Sequence, residues 1–396
     1  MKEGWTYKKL GEVFKTYAGG TPSKTNKANY ENGTIPWIRS GEVCRKYITE
    51  SELFISEEGL KSSSAKYYPV NTVLVAMYGA TAAQCGILRF EATSNQAVCG
   101  ILPHKDFLPE FVYSFFTYFK DELASQAQGG AQPNISQEKI KKILFPCISL
   151  SEQQRIVSRL DSAFAHIDER KANAEKQLSE ARALFQKALT KAMDPKEGWE
   201  EKELGNIVCF FSGYAFESKG YTNNNDDVLL ICGDNIVHCD FRWDTIKHWP
   251  KEEYEDLKRF SLEENDIVLA MDRPWVKSGL KIAKVSLKEL PSLLIQRTAC
   301  IRAPKDVSPD FIFYSLQTEK YIKHLVSQQT GVGVPHISGK QILSYKFSIP
   351  NYNVQQRIVS RLDSLSAHVR ELEDVLQKTI AECDALKQAL LRQVFE

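Results

Sequence analysis

The chain has 396 residues, with 51 Lys and Arg against 50 Asp and Glu and a formal net charge of +1. That length allows two or three domains with ample core, and the near-zero charge excludes a strongly basic nucleic-acid footprint as an average while leaving local patches open. No apolar run approaches the ~18 residues that span a bilayer, the opening Met1-Lys2-Glu3-Gly4-Trp5 lacks the apolar stretch of a signal peptide, and nine scattered cysteines, an odd number, point to free thiols in a reducing cytoplasm.

The first clear element in chain order is Thr72 to Met77, an apolar and β-branched run that reads as a buried strand. Gly79 and Gly86 bracket a small-residue loop after it. Phe111, Phe115, Tyr118 and Phe119 fall on one helical face and read as a core-facing stripe. A long helical pattern then opens, with Ser151 and Gln154 in capping-box spacing. Its apolar positions are Ile156, Leu160, Ala163, Ile167, Ala174, Leu178, Ala181, Phe185, Ala188 and Ala192, and it stops at Asp194-Pro195, because proline cannot continue it.

After Pro195 the chain starts again. Lys2-Glu3-Gly4-Trp5 returns as Lys196-Glu197-Gly198-Trp199, and Leu10-Gly11 as Leu204-Gly205. The run from Asn71 to Met77 returns from Asn265 to Met271, Pro109-Glu110-Phe111 as Pro309-Asp310-Phe311, and Pro133-Asn134-Ile135-Ser136 as Pro335-His336-Ile337-Ser338. Ser308 caps a predicted helix with Pro309 at its first position. Gln153 to Ser162 returns unbroken as Gln355 to Ser364. A second long helix follows, with Asn353 and Gln356 in the aligned cap spacing and apolar positions Ile358, Leu362, Leu365, Val369, Leu372, Leu376, Ile380, Cys383 and Leu390. The pattern is a coiled-coil seam with a stutter, on helices of about forty residues and roughly 60 Å.

The chain is therefore a tandem repeat of globular head and helix. The predicted segments are 1–149, 150–194, 195–350 and 351–396. The fold class is α+β: two globular domains separated by two long antiparallel helices, related by a pseudo-two-fold internal repeat. The helix starts are identical while the head loops have drifted. Identical partners at two equivalent sites, with two different half-sites of a polymer, produce that pattern. The candidate partner-binding residues are Gln153, Gln154, Arg155 and Arg159, with their copies Gln355, Gln356, Arg357 and Arg361. The plainer alternative is that this segment packs at the helix–head junction.

Further motifs carry a resemblance. They are Gly19-Gly20-Thr21-Pro22-Ser23, Pro36-Trp37-Ile38-Arg39-Ser40-Gly41, the strand and loop from Val73 to Gly86, Gly129-Gly130-Ala131-Gln132-Pro133-Asn134-Ile135-Ser136, the Phe145-Pro146 exit, and Glu152-Gln153-Gln154-Arg155-Ile156-Val157. In this order, and repeated, they resemble the specificity subunit of a type I restriction-modification system over essentially the whole chain. The second head departs from the pattern at Ser212 to Phe216, Leu230 to Ile236 and Gln329 to Gly333.

The resemblance implies that each head is a target-recognition domain reading one half of a split, asymmetric site on double-stranded DNA. It implies that the helices set the spacing and dock two modification (methyltransferase) subunits, and that restriction (helicase-nuclease) subunits join through the complex. It implies no catalytic centre, metal or cofactor in this chain, since S-adenosylmethionine, ATP and Mg²⁺ belong to the partners. No membrane role is expected.

Base edges are read by Arg on guanine, Asn or Gln on adenine and carboxylates on cytosine, while phosphates take Lys, Arg, Ser and Thr. The loop candidates in the first head are Lys24, Arg39, Ser40, Lys61, Ser62, Ser63, Tyr78, Thr81, Asn95, Gln96, Gln132 and Asn134. In the second they are Lys219, Asp234, Asn235, Asp272, Arg273, Trp275, Lys277, Gln296, Arg297 and His336. Arg39 and Arg273 lead, and Trp275 has a core reading as well.

Other chemistries are weaker. Gly331-Val332-Gly333 lacks the strand-to-helix setting of a cofactor loop, and short Glu-x-Lys matches such as Glu217-Ser218-Lys219 are expected by chance in this composition. Cys232, His238, Cys239 and His248 lack paired Cys-x-x-Cys spacing, so buried thiols are preferred to zinc. The rival from another class is a coiled-coil adaptor with two protein-binding heads and no DNA role.

Overall fold

The computed structural model describes residues 2–125, 134–327 and 335–396, so Gln132 and the segment from Gln329 to Gly333 lie outside the described residues. The chain forms two compact units. One comprises Met1–Glu175 with Gln377–Glu396, the other Lys176–Leu376. Both boundaries fall inside the long helices, Leu150–Met193 and Tyr352–Phe395, each 44 residues long.

In the first unit the head begins and ends on one antiparallel pair, Thr6–Lys9 with Leu144–Cys147. Its main sheet has five strands in the order Thr16–Ala18, Val98–Ile101, Val73–Ala76, Cys85–Leu88 and Tyr47–Ile48. Val73–Ala76 is buried along its whole length, as its unbroken apolar run requires. A smaller sheet, Phe54–Ile55, Ile35–Ile38 and Thr93–Ser94, packs a separate core around Ile35, Trp37 and Ile55.

The second unit repeats this plan. Glu200–Glu203 pairs with Lys346–Ile349 where the head begins and ends. The main sheet runs Cys209–Ser212, Thr298–Arg302, Ile267–Ala270 and Ile282–Lys284, and the smaller one His248–Trp249, Val228–Ile231 and Ser292–Leu294. Asn71 and Asn265 close equivalent turns with φ of 71° in both, a left-handed position that asparagine tolerates. The stripe Phe111–Phe115 faces the first core, with Tyr118 and Phe119 packed at its edge. Ser308 caps Pro309–Ser315 as expected, accepting from Phe311 N at 3.3 Å.

Each unit also contains one half of each long helix. In the first, Leu391 and Phe395 share a core with Ile156, Val157 and Leu160. Lys171 binds Asp384 and Lys387 binds Asp168, so numbers rise in one helix as they fall in the other and the segments are antiparallel. In the second, Arg182 pairs with Glu373 while Leu189 shares a core with Val359 and Leu362, again antiparallel. The seam passes through Leu376, Cys383 and Leu391 and leaves Leu372 43% exposed, so Leu372 is not the seam position its spacing suggests.

The helix caps differ from expectation. Ser149 Oγ accepts from Glu152 N at 3.3 Å and Asn351 Oδ1 from Val354 N at 3.1 Å, so each cap lies two residues before Ser151 and Asn353. The helices themselves begin at Leu150 and Tyr352, so the residue just before each takes the capping position.

Candidate functional site

Each head holds the same corner, built by main-chain bonds where the central strand ends. In the first head Met77 N–H donates to Ala97 O at 2.7 Å, and Ile135 N–H donates to Met77 O at 2.8 Å. In the second, Met271 N–H donates to Arg297 O at 2.9 Å, and Ile337 N–H donates to Met271 O at 2.8 Å. The next residues form isolated antiparallel bridges, Tyr78 with Asn134 and Asp272 with His336. Strand register makes the two corners equivalent, because Ala76 faces Val98 as Ala270 faces Thr298.

Two more segments reach the corner. Gly19 N–H donates to Val98 O and Asn95 N–H to Ile38 O in the first head; Gly213 N–H donates to Thr298 O and Ile295 N–H to Ile231 O in the second. Only glycine fits at Gly19 and Gly213, since an added Cβ would lie 2.2 Å from the carbonyl oxygen of Asn95 or of Ile295. The main chain is thereby committed to the frame, and the side chains at the corner are left to vary.

The first corner gathers Arg39, Ser40, Tyr78, Thr81, Asn95, Gln96 and Asn134, of which Arg39, Gln96 and Asn134 are exposed. Arg39 is not a free cation: its Nη2 holds Glu52 Oε2 at 2.6 Å. Asn95 Oδ1 accepts from Ala97 N at 3.1 Å, bracing the turn. Lys61 and Ser62 lie at the end of the short helix Glu57–Lys61 that packs on Asn29, and Ser63 braces the turn into Ala65, next to Gly20.

The second corner gathers Asp272, Arg273, Gln296, Arg297 and His336, with exposed Asp234 on the adjoining loop. Lys277 lies at the turn between Trp275–Val276 and Gly279–Leu280. Trp275 packs half-buried against the core, and Lys219 pairs with Glu217 at 2.5 Å. Asn235 is a correction. It is 2% exposed, and its amide is consumed by Cys232 N, Arg242 O and Thr245 O, so it shapes the loop and offers no group to a ligand. Lys281 is a residue that sequence reasoning misses. It is 9% exposed, and its Nζ reaches Gly233 O at 2.7 Å beside the corner. Its one signal is a lysine set between the apolar residues Leu280 and Ile282.

The repeated helix starts divide in two. Gln153 is fully buried: its Oε1 accepts from Leu108 N, and its Nε2 donates to Asp106 O and Ile148 O, each at 2.9 Å. Gln355 does the same with Ser308 N and Pro350 O. These two are corrections: they staple helix to head and have nothing left for a partner. Gln154, Arg155 and Arg159, with Gln356, Arg357 and Arg361, are exposed. Arg357 and Arg361 lie on one open face of the second long helix with Gln356, Ser360, Ser364, Leu365 and His368. Arg155 instead folds onto Glu152 at 2.7 Å.

Burial pushes the thiols of Cys85, Cys99 and Cys239 up to about 12, so none is a thiolate nucleophile at neutral pH. Cys232 Sγ and Cys239 Sγ turn to Asn235 and Gln317. Among the described residues no three His, Cys, Asp or Glu side chains are grouped to hold a metal ion, and no helix is long and apolar enough to cross a membrane.

A family model for the type I restriction modification DNA specificity domain matches residues 2–179 and 196–382. The specificity subunit of the Escherichia coli type I restriction enzyme EcoAI is 34% identical over 206 residues, covering 51% of this chain and 34% of that protein. That of EcoR124I/EcoR124II, also from E. coli, is 33% identical over 167 residues, 41% of either chain. The match thus spans less than half of those two relatives. The Methanocaldococcus jannaschii MjaVIII specificity subunit is 24% identical across 92% of this chain and 87% of its own. Among solved structures, a chain of a type I R-M system covers 100% of this chain and 98% of its own at a TM-score of 0.78 and 18% identity. The HsdS subunit from Thermoanaerobacter tengcongensis gives 0.51 at 18% identity, covering 100% and 97%. At such identities the likeness is one of fold.

Proposed function

The chain belongs to the type I restriction-modification DNA specificity family, and from that premise we propose that it is the non-catalytic subunit that reads a bipartite site on double-stranded DNA. Each head reads one half-site. The long helices set the spacing and dock two modification subunits through the exposed arginines of the repeated segment. S-adenosylmethionine resides on those subunits, and ATP with Mg²⁺ on the restriction subunits that join them.

The observation that carries this reading is the doubled corner. One main-chain frame occurs twice and presents Tyr78 and Asn134 in one head, Asp272 and His336 in the other. Amide, carboxylate and imidazole groups on loops held by a rigid sheet are what base-edge recognition uses. A pair of protein-binding heads has no need of one frame filled with two polar sets. Near-zero net charge fits a subunit whose phosphate contacts are shared with its partners.

The test is co-expression with the neighbouring modification subunit, followed by mapping of methylated bases across the host genome. One split motif methylated on both strands is the expected result. If the complex is verified yet adds no methylation and binds DNA without sequence preference, the reading fails. In the same system, Arg155→Glu with Arg357→Glu is expected to weaken assembly while both heads stay folded by circular dichroism.

A further inference from the structure

The second corner contains a charged array that has no counterpart in the first. Asp272 Oδ1 meets His336 Nδ1 at 2.5 Å, and Asp272 Oδ2 lies 3.7 Å from Arg297 Nε. The residue equivalent to Arg297 in the first head is Ala97, which is 8% exposed and is not in the left-handed region. Arg297 stands at φ 67° with 64% of its side chain exposed. A non-glycine residue there is strained, and an exposed ion pair contributes too little to offset that strain. Stability does not account for Arg297.

Recognition does. With Nε turned to the carboxylate, the two Nη groups remain available, side by side and charged. In the major groove guanine offers two acceptors, N7 and O6, that match such a pair. Adenine offers an acceptor beside an amino donor, which opposes a second N–H. Cytosine presents an amino donor, and thymine one acceptor beside a methyl group. Asp272 Oδ1 is engaged by His336, while Oδ2 faces the Arg297 guanidinium across an ion-pair distance of 3.7 Å. Arg273, exposed at φ 45°, has no acidic partner among the described residues and suits a phosphate.

We infer that Arg297 is the specificity-determining residue for a guanine in the half-site of the second head, with Asp272, held by His336, as its positioning residue. The inference rests on the reading that the heads bind DNA. The nearby carboxylate biases the guanidinium towards this orientation, so discrimination depends on the carboxylate as well as on the arginine.

The experiment uses the verified complex with the modification subunit, comparing the unaltered chain with Arg297→Ala, Arg297→Lys and Asp272→Asn. Methylated motifs are mapped, and binding is measured to oligonucleotides in which each motif guanine in turn is replaced by 7-deazaguanine, which lacks the N7 acceptor. One replacement is expected to weaken the unaltered complex by about 2- to 12-fold, as loss of one of the two hydrogen bonds of a bidentate contact, and to weaken Arg297→Ala no further. Arg297→Ala and Arg297→Lys should relax that G·C letter alone, and Asp272→Asn should relax it in part. A merely structural role would lower methylation of every site without relaxing a letter. Relaxation at any other letter, none at all, or equal 7-deazaguanine penalties in the unaltered and Arg297→Ala complexes overturns the inference. If the alanine variant fails to assemble, the unaltered complex still decides, because indifference to every 7-deazaguanine excludes a guanine N7 contact. An unaltered complex with no split motif would instead refute the parent reading.

Discussion

The two heads share a corner and differ in what fills it. In the first, Tyr78, Ala97 and Asn134 stand where the second has Asp272, Arg297 and His336. The bonds that pair the segments of the corner run main chain to main chain, so most of its side chains can change while the frame stays intact. At the helix starts the opposite holds. Gln153 and Gln355 are frame members themselves, each spending its amide on the backbone of its own head. Side chains that carry the frame have stayed identical, and those that the frame merely supports have diverged. This is the physical basis on which one scaffold takes two specificities.

A second difference between the heads lies beneath the sheet, and disturbing it should have the largest effect on stability. Asp266 is 1% exposed and takes a two-point contact from Arg302, at 2.8 Å through Nε and 2.7 Å through Nη2. The first head has Thr72 and Leu102 at the equivalent positions, with Thr72 Oγ1 donating to Pro69 O. Arg302→Leu alone strands a buried carboxylate and should cost about 3 kcal/mol or more. Arg302→Leu with Asp266→Thr recreates the first head's pairing and should be near neutral. Urea denaturation followed by tryptophan fluorescence measures both. A double variant as unstable as the single one would break the equivalence of the two heads.

The glutamine staples come next. Gln153→Ala and Gln355→Ala each leave an N–H and at least one carbonyl of the head without partners, at a cost of about 2–3 kcal/mol. The two losses should match in size and fall on different units, which hydrogen exchange resolves. Unequal losses would show that the repeat is one of sequence and not of energetics.

The smallest effect is on pH. Burial is the main cause that lowers the pKa of His238, whose ring faces Leu280 O, with Glu373, Arg182 and Arg370 nearby. Because the folded value lies below the unfolded one of ~6.5, the contribution is complete above that pH and is lost as pH falls from there through the depressed value. The first head's histidine, His104, is not buried. Acid should therefore loosen the second unit before the first, and His238→Asn should narrow the gap in thermal melts at pH 5 and pH 7.5.

The repeat, both long helices, the strands around Val73 and Ile267 and the Ser308-Pro309 start are legible because each rests on local pattern: periodicity, β-branching, or a cap beside a proline. The two helix caps are not, since Ser151 and Asn353 fit the spacing as well as Ser149 and Asn351 do. The candidate site is legible as a set of loops and not as a corner. Asn235 looks like a reader of adenine until Arg242 and Thr245 close around it, and Arg39 looks free until Glu52 arrives from the bend before Phe54–Ile55. Such partners lie far along the chain or on another loop, where no spacing announces them. The pairing of Arg297 with Asp272 is hidden for the same reason.

The place of Leu391 and Phe395 after the second unit has a consequence for biosynthesis. Leu391 and Phe395 belong to the core of the first unit, with Phe395 edge-on to Trp5. A ribosome makes about 5–20 residues each second and releases domains as they are completed. The second unit, Lys176–Leu376, is continuous and has its full complement before the last turns of helix emerge. The first unit is begun first and finished last, its aromatic core open until Phe395 is delivered. Released chains truncated before residue 391 should hold a folded second unit and a protease-sensitive first one.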